Sequence, residues 1–239
     1  MTPLLNDLTK DAARRFLAAF GFRIQKSNYL PFSYSRKNYP KHAPDTFPVI
    51  FDVGANIGQS AIWYAKEFPE SRIHAFEPFA VVYNKLIEAT RSCPQIVANH
   101  MAIGAMSGEL ELPAVSDPFC QTGSLSSTAV GGALEKVRVD KIDNYCTEKN
   151  ISQILILKTD TEGHDLDVLA GAERMLKEGR IASILSEATI QPEDGDHTNL
   201  WEIQKILAPY NFTLRSIFDL HHTGSNGRLC YFNALFIKD

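Results

Sequence analysis

"VIFDVGANIGQS", residues Val49 to Ser60, carries a β-rich apolar run into Asp52, turns through Gly54 and Gly58, and flows into "AIWYAKEF". A short apolar run, glycine punctuation and an amphipathic stretch together read as a buried strand feeding a helix. The same alternation recurs along the chain. Strand 49–53 precedes helix 58–68, and strand 72–77 precedes helix 79–92. Strand 96–102 is followed by "GAMSGELELPA", a turn with a short extra strand. After a Ser-, Gly- and Thr-rich loop over 113–133, "EKVRVDKIDNYCTEK" gives a strand and a short helix. Strand 153–159 leads to helix 165–178, and strand 182–188 leads through a polar loop to helix 199–208. The chain closes on "FTLRSIFDL" and "RLCYFNALFIK", two strands joined by "HHTGSNG". Repeated strand–helix units followed by a strand pair without a helix predict a doubly wound α/β domain. Its sheet is mostly parallel and seven-stranded, with an antiparallel edge.

Composition bounds the reading. A chain of 239 residues suits one large α/β domain, and 44% apolar residues suffice for its core. A net charge of −4 gives no electrostatic footprint for nucleic acid. No run approaches the roughly 18 apolar residues of a membrane span, and no signal-peptide core is visible. The four cysteines, Cys93, Cys120, Cys146 and Cys230, are widely spaced, which reads as reduced thiols in a cytoplasmic protein.

Residues 1–47 differ from the rest and are expected to form an N-terminal helical extension and linker ahead of a domain over 48–239. Leu5, Leu8, Ala12, Phe16, Ala19 and Phe20 fall near helical spacing, and "YLPFSYSRKNYPKHAPDTFP" reads as an irregular connection. A packing extension is the plainest reading; a substrate lid or a homodimer contact are the alternatives.

In a doubly wound sheet, ligands bind at the carboxyl ends of the strands. The glycine turn lets backbone approach a ligand there, and the next helix offers free N–H groups. Glu77 ends the second strand, 19 residues past Gly58, where a carboxylate can accept from both hydroxyls of a ribose. Asn56 stands where a dinucleotide site needs its second glycine, and no Walker lysine follows. A nucleoside without phosphates fits better, and S-adenosylmethionine is such a ligand. Asp52 is expected to face its ammonium and sulfonium end, with turn N–H groups on its carboxylate.

"FDVGANIGQSAIWYA", "HAFEPFAVVYNKL", "NHMAIGAMSGELEL" and "LKTDTEGHDLDVLAGA" resemble, in this order, segments of FkbM-type methyltransferases over about residues 48–190. The resemblance implies the Rossmann-like class I methyltransferase fold. It also implies S-adenosylmethionine-dependent O-methylation of a sugar, glycan or natural-product hydroxyl, so a small-molecule or glycosylated acceptor. It places Asp52, Gly54, Asn56, Gly58, Ser60, Glu77, Pro78, Ala102 and Asp160 on the cofactor, with the backbone around Ala102 lining the adenine. The chain departs from the family pattern at Thr161, His164 and Asp165.

The corner after the fourth strand, "DTEGHD", concentrates groups able to align a hydroxyl and take its proton. Asp160 is the leading catalytic candidate, with Glu162 and His164 as rivals; Asp165 reads as an N-cap. Glu187, ending the fifth strand, adds a carboxylate. Asp160, Glu162 and Glu187 together raise a Mg²⁺ site as an option, though not the favoured one. "QTGSLSST", Gln121 to Thr128, is a hydroxyl-rich loop with three readings: hydrogen bonding to a polar acceptor, closure over the cofactor, or a plain flexible loop. An NAD(P)-dependent oxidoreductase and a non-catalytic cofactor-binding protein are the competing functions, disfavoured by Asn56 and by the retained carboxylates respectively.

Overall fold

The computed structural model describes residues 35–40, 48–114, 134–223 and 227–239. The expected N-terminal helix with its lid or dimer contact, and the Gln121–Thr128 loop, lie outside these residues. Strands β1 (Val49–Val53), β2 (Arg72–Glu77) and β3 (Ile96–His100) alternate with helices α1 (Gln59–Glu67) and α2 (Ala80–Thr90). After β4 (Ala102–Ile103), β5 (Gly108–Pro113) and β6 (Leu134–Asp140) come α3 (Ile142–Glu148) and β7 (Ile156–Thr159). Then follow α4 (Asp165–Ala170), α5 (Glu173–Lys177), β8 (Ser183–Thr189), β9 (Thr198–Asn199), α6 (Leu200–Leu207), β10 (Phe212–Thr223) and β11 (Arg228–Lys238).

The main sheet runs β10-β11-β8-β7-β1-β2-β3, with the two-residue β9 added beside β8. β1, β2, β3, β7 and β8 are parallel, and β11 pairs antiparallel with both β8 and β10. The seven-strand path and its antiparallel edge are those expected from the sequence. Strand order reverses between β1 and β7, so a crevice opens at their carboxyl ends. β1 is buried from Ile50 to Val53 because helices cover both sheet faces, which is why it reads as a continuous apolar run rather than an alternating one. Phe51, Phe76 and Leu157 anchor a large core with Tyr145 from α3 and Val168 and Leu169 from α4. No helix among the described residues is long and apolar enough to cross a membrane.

Three expected elements differ. The strand expected over 96–102 divides at Met101, whose N–H bonds back to Asn99 O while its side chain enters the core. The chain beyond joins a second sheet, β4-β6-β5. The helix expected over 165–178 breaks at Gly171, where a Cβ would lie 2.2 Å from Gly104 O. Asp143 then caps the separate start of α5, accepting from Arg174 N and Met175 N at 2.8 and 3.0 Å. His221 and His222, expected in a turn, extend β10. Within the expected irregular linker, Arg36–Asn38 form a 3₁₀ turn, and Tyr39 is buried edge-on against Tyr64 and Phe68 of the α1 region.

Candidate active site

The ends of β1, β2 and β7 are tied together by backbone. Gly54 N and Ala55 N both donate to Phe76 O, and Asp160 N donates to Val53 O at 3.1 Å. Gly54 has φ +76°, and a Cβ there would lie 1.8 Å from Asp160 O. This glycine is required because the turn after β1 presses against the backbone leaving β7. Gly58, at φ +95°, has a different reason: a Cβ would meet Leu86 Cδ1 at 2.9 Å, so it seats α1 against α2.

A cavity of about 430 Å³ opens at this edge, within the roughly 300–1,000 Å³ of pockets that hold small ligands. Of the expected site residues, Gly54, Asn56, Glu77, Pro78, Ala102, Asp160, Glu162 and His164 line it. Asp52, Gly58 and Ser60 do not. Asp52 is fully buried behind the cavity, where Oδ2 accepts from Ser60 Oγ at 2.5 Å and Oδ1 lies 3.2 Å from Lys158 Nζ. Asp52 therefore does not line the cavity, and its carboxylate is paired with Lys158 instead. Every N–H from Gly54 to Gly58 also has a partner within the chain, which leaves the turn itself without donors for a ligand carboxylate.

One end of the cavity is apolar, lined by Phe79, Val82, Met101, Ala102 and Ile103. Phe79 and Val82 rest on Leu112 and Val137 of the small sheet, which fixes this shelf. Next to it stands Glu77, 5% exposed, with Oε2 accepting from Asn56 N at 3.1 Å and Oε1 from Phe79 N at 3.0 Å. Asn56 adopts φ +49° to aim that N–H. Burial pushes the Glu77 carboxyl up to about 7, against the pull of the two N–H groups.

The other end gathers Asp160, Glu162, His164, Glu187, His197 and Tyr231. Asp160 Oδ2 accepts from Lys158 Nζ at 3.0 Å, so the buried lysine bridges Asp160 and Asp52. Glu162, in a left-handed turn at φ +50°, is pushed up to about 7 by burial and then by Asp160. Glu187 is raised well above the usual carboxyl range by burial and by the same charge. His164 sits at the mouth, its Nδ1 3.5 Å from Asp167 Oδ2. Asp165, expected as an N-cap, is instead the buried first residue of α4 and accepts from Thr198 Oγ1 at 2.8 Å. Thr161 Oγ1 is buried without a hydrogen-bond partner among the described residues and lies on the cavity wall. An orphaned hydroxyl, two open acceptor directions on Glu77 and an apolar shelf fit a nucleoside ligand. Among the described residues, no three His, Cys, Asp or Glu side chains are arranged to hold a metal ion.

Lys158 and His197 were not singled out from sequence. Lys158 had a signal, the one charge within the apolar run "QILILKT". His197 had none, because "PEDGDHTN" is polar throughout and its fold depends on partners far along the chain.

The family model for the methyltransferase FkbM domain matches residues 52–213, about two thirds of the chain. The hexuronic acid methyltransferase AglP of Haloferax volcanii is 23% identical over 147 residues, covering 61% of this chain and 59% of that protein. The 31-O-demethyl-FK506 methyltransferase FkbM of Streptomyces tacrolimicus is 25% identical over 212 residues, covering 76% and 79%. The crystal structure of a methyltransferase FkbM from Methylobacillus flagellatus superposes with a TM-score of 0.53 at 21% identity, over 85% of this chain and 48% of that one. The chain thus spans about three fifths of the first relative and about half of the solved one. The match runs from the aspartate of the β1 strand through the first residues of β10, well over half of the chain, and the chain belongs to the FkbM methyltransferase family.

Proposed function

We propose that this protein is an S-adenosylmethionine-dependent O-methyltransferase acting on a hydroxyl of a sugar, glycan or natural product. The observation that carries the reading is the cavity's two-ended character. A buried carboxylate beside an apolar shelf suits a ribose and adenine, and a polar corner at the ends of β7 and β8 suits an acceptor. Relatives named for a hexuronic acid and for an FK506 oxygen support a hydroxyl-bearing acceptor.

In this reading S-adenosylmethionine supplies a methyl group on a cationic sulfur. Glu77 accepts from the ribose hydroxyls, with Asn56 and Phe79 N–H groups keeping it aimed. Pro78, Ala102 and Ile103 border the adenine. Thr161 gives its unpartnered hydroxyl to the ligand. Asp160, held by Lys158, orients the acceptor, with Glu162 and His164 beside it. Asp52 and Ser60 act from behind by fixing Lys158 and the start of α1. Placing the acceptor oxygen in line with the methyl is the larger part of the catalysis, because the donor is already activated.

The test is thermal-shift measurement with S-adenosylmethionine, S-adenosylhomocysteine, NAD⁺ and NADP⁺, then transfer of labelled methyl to a panel of sugars and polyols. The expected result is stabilisation by the first two ligands only and label on at least one hydroxyl acceptor. Stabilisation by NAD⁺ or NADP⁺ alone would replace the proposal with the oxidoreductase reading.

A further inference from the structure

His197 projects into the acceptor end from the loop between β8 and β9, and the fold holds it there from several sides. β9 pairs with β8 immediately after it, Ala188 against Thr198 and Thr189 against Asn199. Thr198 is tied to buried Asp165, and the Asn199 side chain caps α6 by accepting from Trp201 N at 3.0 Å. The ring lies flat on Tyr231, with centroids 4.3 Å apart and planes 14° from parallel. Tyr231 in turn lies on His221 of β10, at 4.3 Å and 11°. This stack sets the plane of the imidazole.

Asp194 sets its tautomer. Both carboxylate oxygens are 3.0 Å from His197 Nδ1, and Oδ1 also accepts the N–H groups of Asp196 and His197. Although burial opposes it, these hydrogen bonds hold the Asp194 carboxyl below the usual range, as an anion that can only accept. The proton of the neutral ring therefore sits on Nδ1, and the lone pair on Nε2. Glu187 Oε2 lies 3.5 Å from Nε2, longer than an ordinary hydrogen bond. Nε2 therefore lies at the cavity wall beside Glu187, with Tyr231 covering a face of the ring. Two of the expected bases are engaged otherwise, since Asp160 Oδ2 accepts from Lys158 and His164 Nδ1 faces Asp167; Glu162, raised to about 7, is the remaining rival on the same wall.

We propose that His197, oriented by Asp194, receives the proton of the acceptor hydroxyl. The inference rests on the methyltransferase reading. As the acceptor oxygen bonds to the methyl carbon, the carbon–sulfur bond breaks with its electron pair on sulfur, and the hydroxyl proton passes to His197 Nε2. The resulting imidazolium is balanced by Asp194 and returns its proton to solvent. An imidazole suits this exchange because it gains and loses a proton in the neutral range, and an ordered carboxylate on its far nitrogen is the arrangement that makes it a base. His197 and Asp194 lie three residues apart and are joined locally through the N–H groups on Asp194 Oδ1, while β9 and the ring stack hold the pair at the cavity.

Two measurements test the pair. Long-range ¹H–¹⁵N spectra of the ligand-free protein should show His197 as the Nδ1–H tautomer and a change of tautomer population in Asp194→Asn. An Nε2–H tautomer, or spectra unaltered in Asp194→Asn, would overturn the pairing whether or not the protein transfers methyl groups. In the transfer assay, His197→Gln should lower turnover by roughly 10²–10⁴, and Asp194→Asn by roughly tenfold or more. S-adenosylhomocysteine affinity should stay within about threefold of wild type in both, since neither residue touches the ribose end. Near-normal turnover in His197→Gln would remove His197 as the base. A wild-type protein that transfers no methyl, with the tautomer as expected, would count against the methyltransferase reading and leave the pair standing as a structural fact.

Discussion

Glu77 is the residue on which the cofactor reading is most exposed. Two backbone N–H groups keep its carboxyl aimed at the cavity, while burial raises it to about 7 in the ligand-free protein. The folded protein therefore takes up a proton at Glu77 as the pH falls through that value. The protonated acid can no longer accept from two ribose hydroxyls. Affinity for S-adenosylhomocysteine should accordingly strengthen between pH 6 and pH 8, by about tenfold if only the ionised form binds. Glu77→Gln should bind about tenfold or more weakly, having lost a charge-assisted acceptor, and should lose the pH dependence. Calorimetry at the two pH values reads both effects; a wild-type affinity flat across this range would mean that Glu77 does not take the ribose. Glu77 was legible in the sequence because strand ends and their spacing are local properties. The role of Asp52 was not: its partners Ser60 and Lys158 are set by the parallel registry of β1 with β7 and the entry of α1, which no local pattern records.

At the scale of elements, the turn from β1 into α1 uses its two glycines for different purposes. A methyl at Gly54 would run into the Asp160 carbonyl, a backbone atom that cannot yield without separating β1 from β7. A methyl at Gly58 would meet the end of the Leu86 side chain, which can rotate, although the positive φ still strains any substituent. Gly54→Ala should cost more than about 3 kcal/mol or fail to fold, and Gly58→Ala roughly 1–2 kcal/mol. Urea unfolding of the pair checks the order; equal losses would show that the close approach at Gly54 is not the constraint described. The sequence made both glycines visible as a turn but not the difference between them. The strands and helices were readable because burial on both faces imprints apolar runs on β1, β2, β7 and β8. The breaks at Met101 and Gly171 were not, since each follows from a distant contact: Met101 with the core and Gly171 with Gly104 O.

For the molecule as a whole, the reversal of strand order between β1 and β7 brings the end of β2 and the end of β8 to one crevice. In the proposed reading, the cofactor half of the site lies on strands β1 to β4 and the acceptor half on β7, β8 and β11. The most direct test of the account is a crystal structure with S-adenosylhomocysteine. The account predicts the ribose hydroxyls on Glu77, the adenine against Val82, Ala102 and Ile103, and the sulfur directed toward Asp160, Glu187 and His197. A ligand bound elsewhere, or one in this cavity with its ribose away from Glu77, would contradict it.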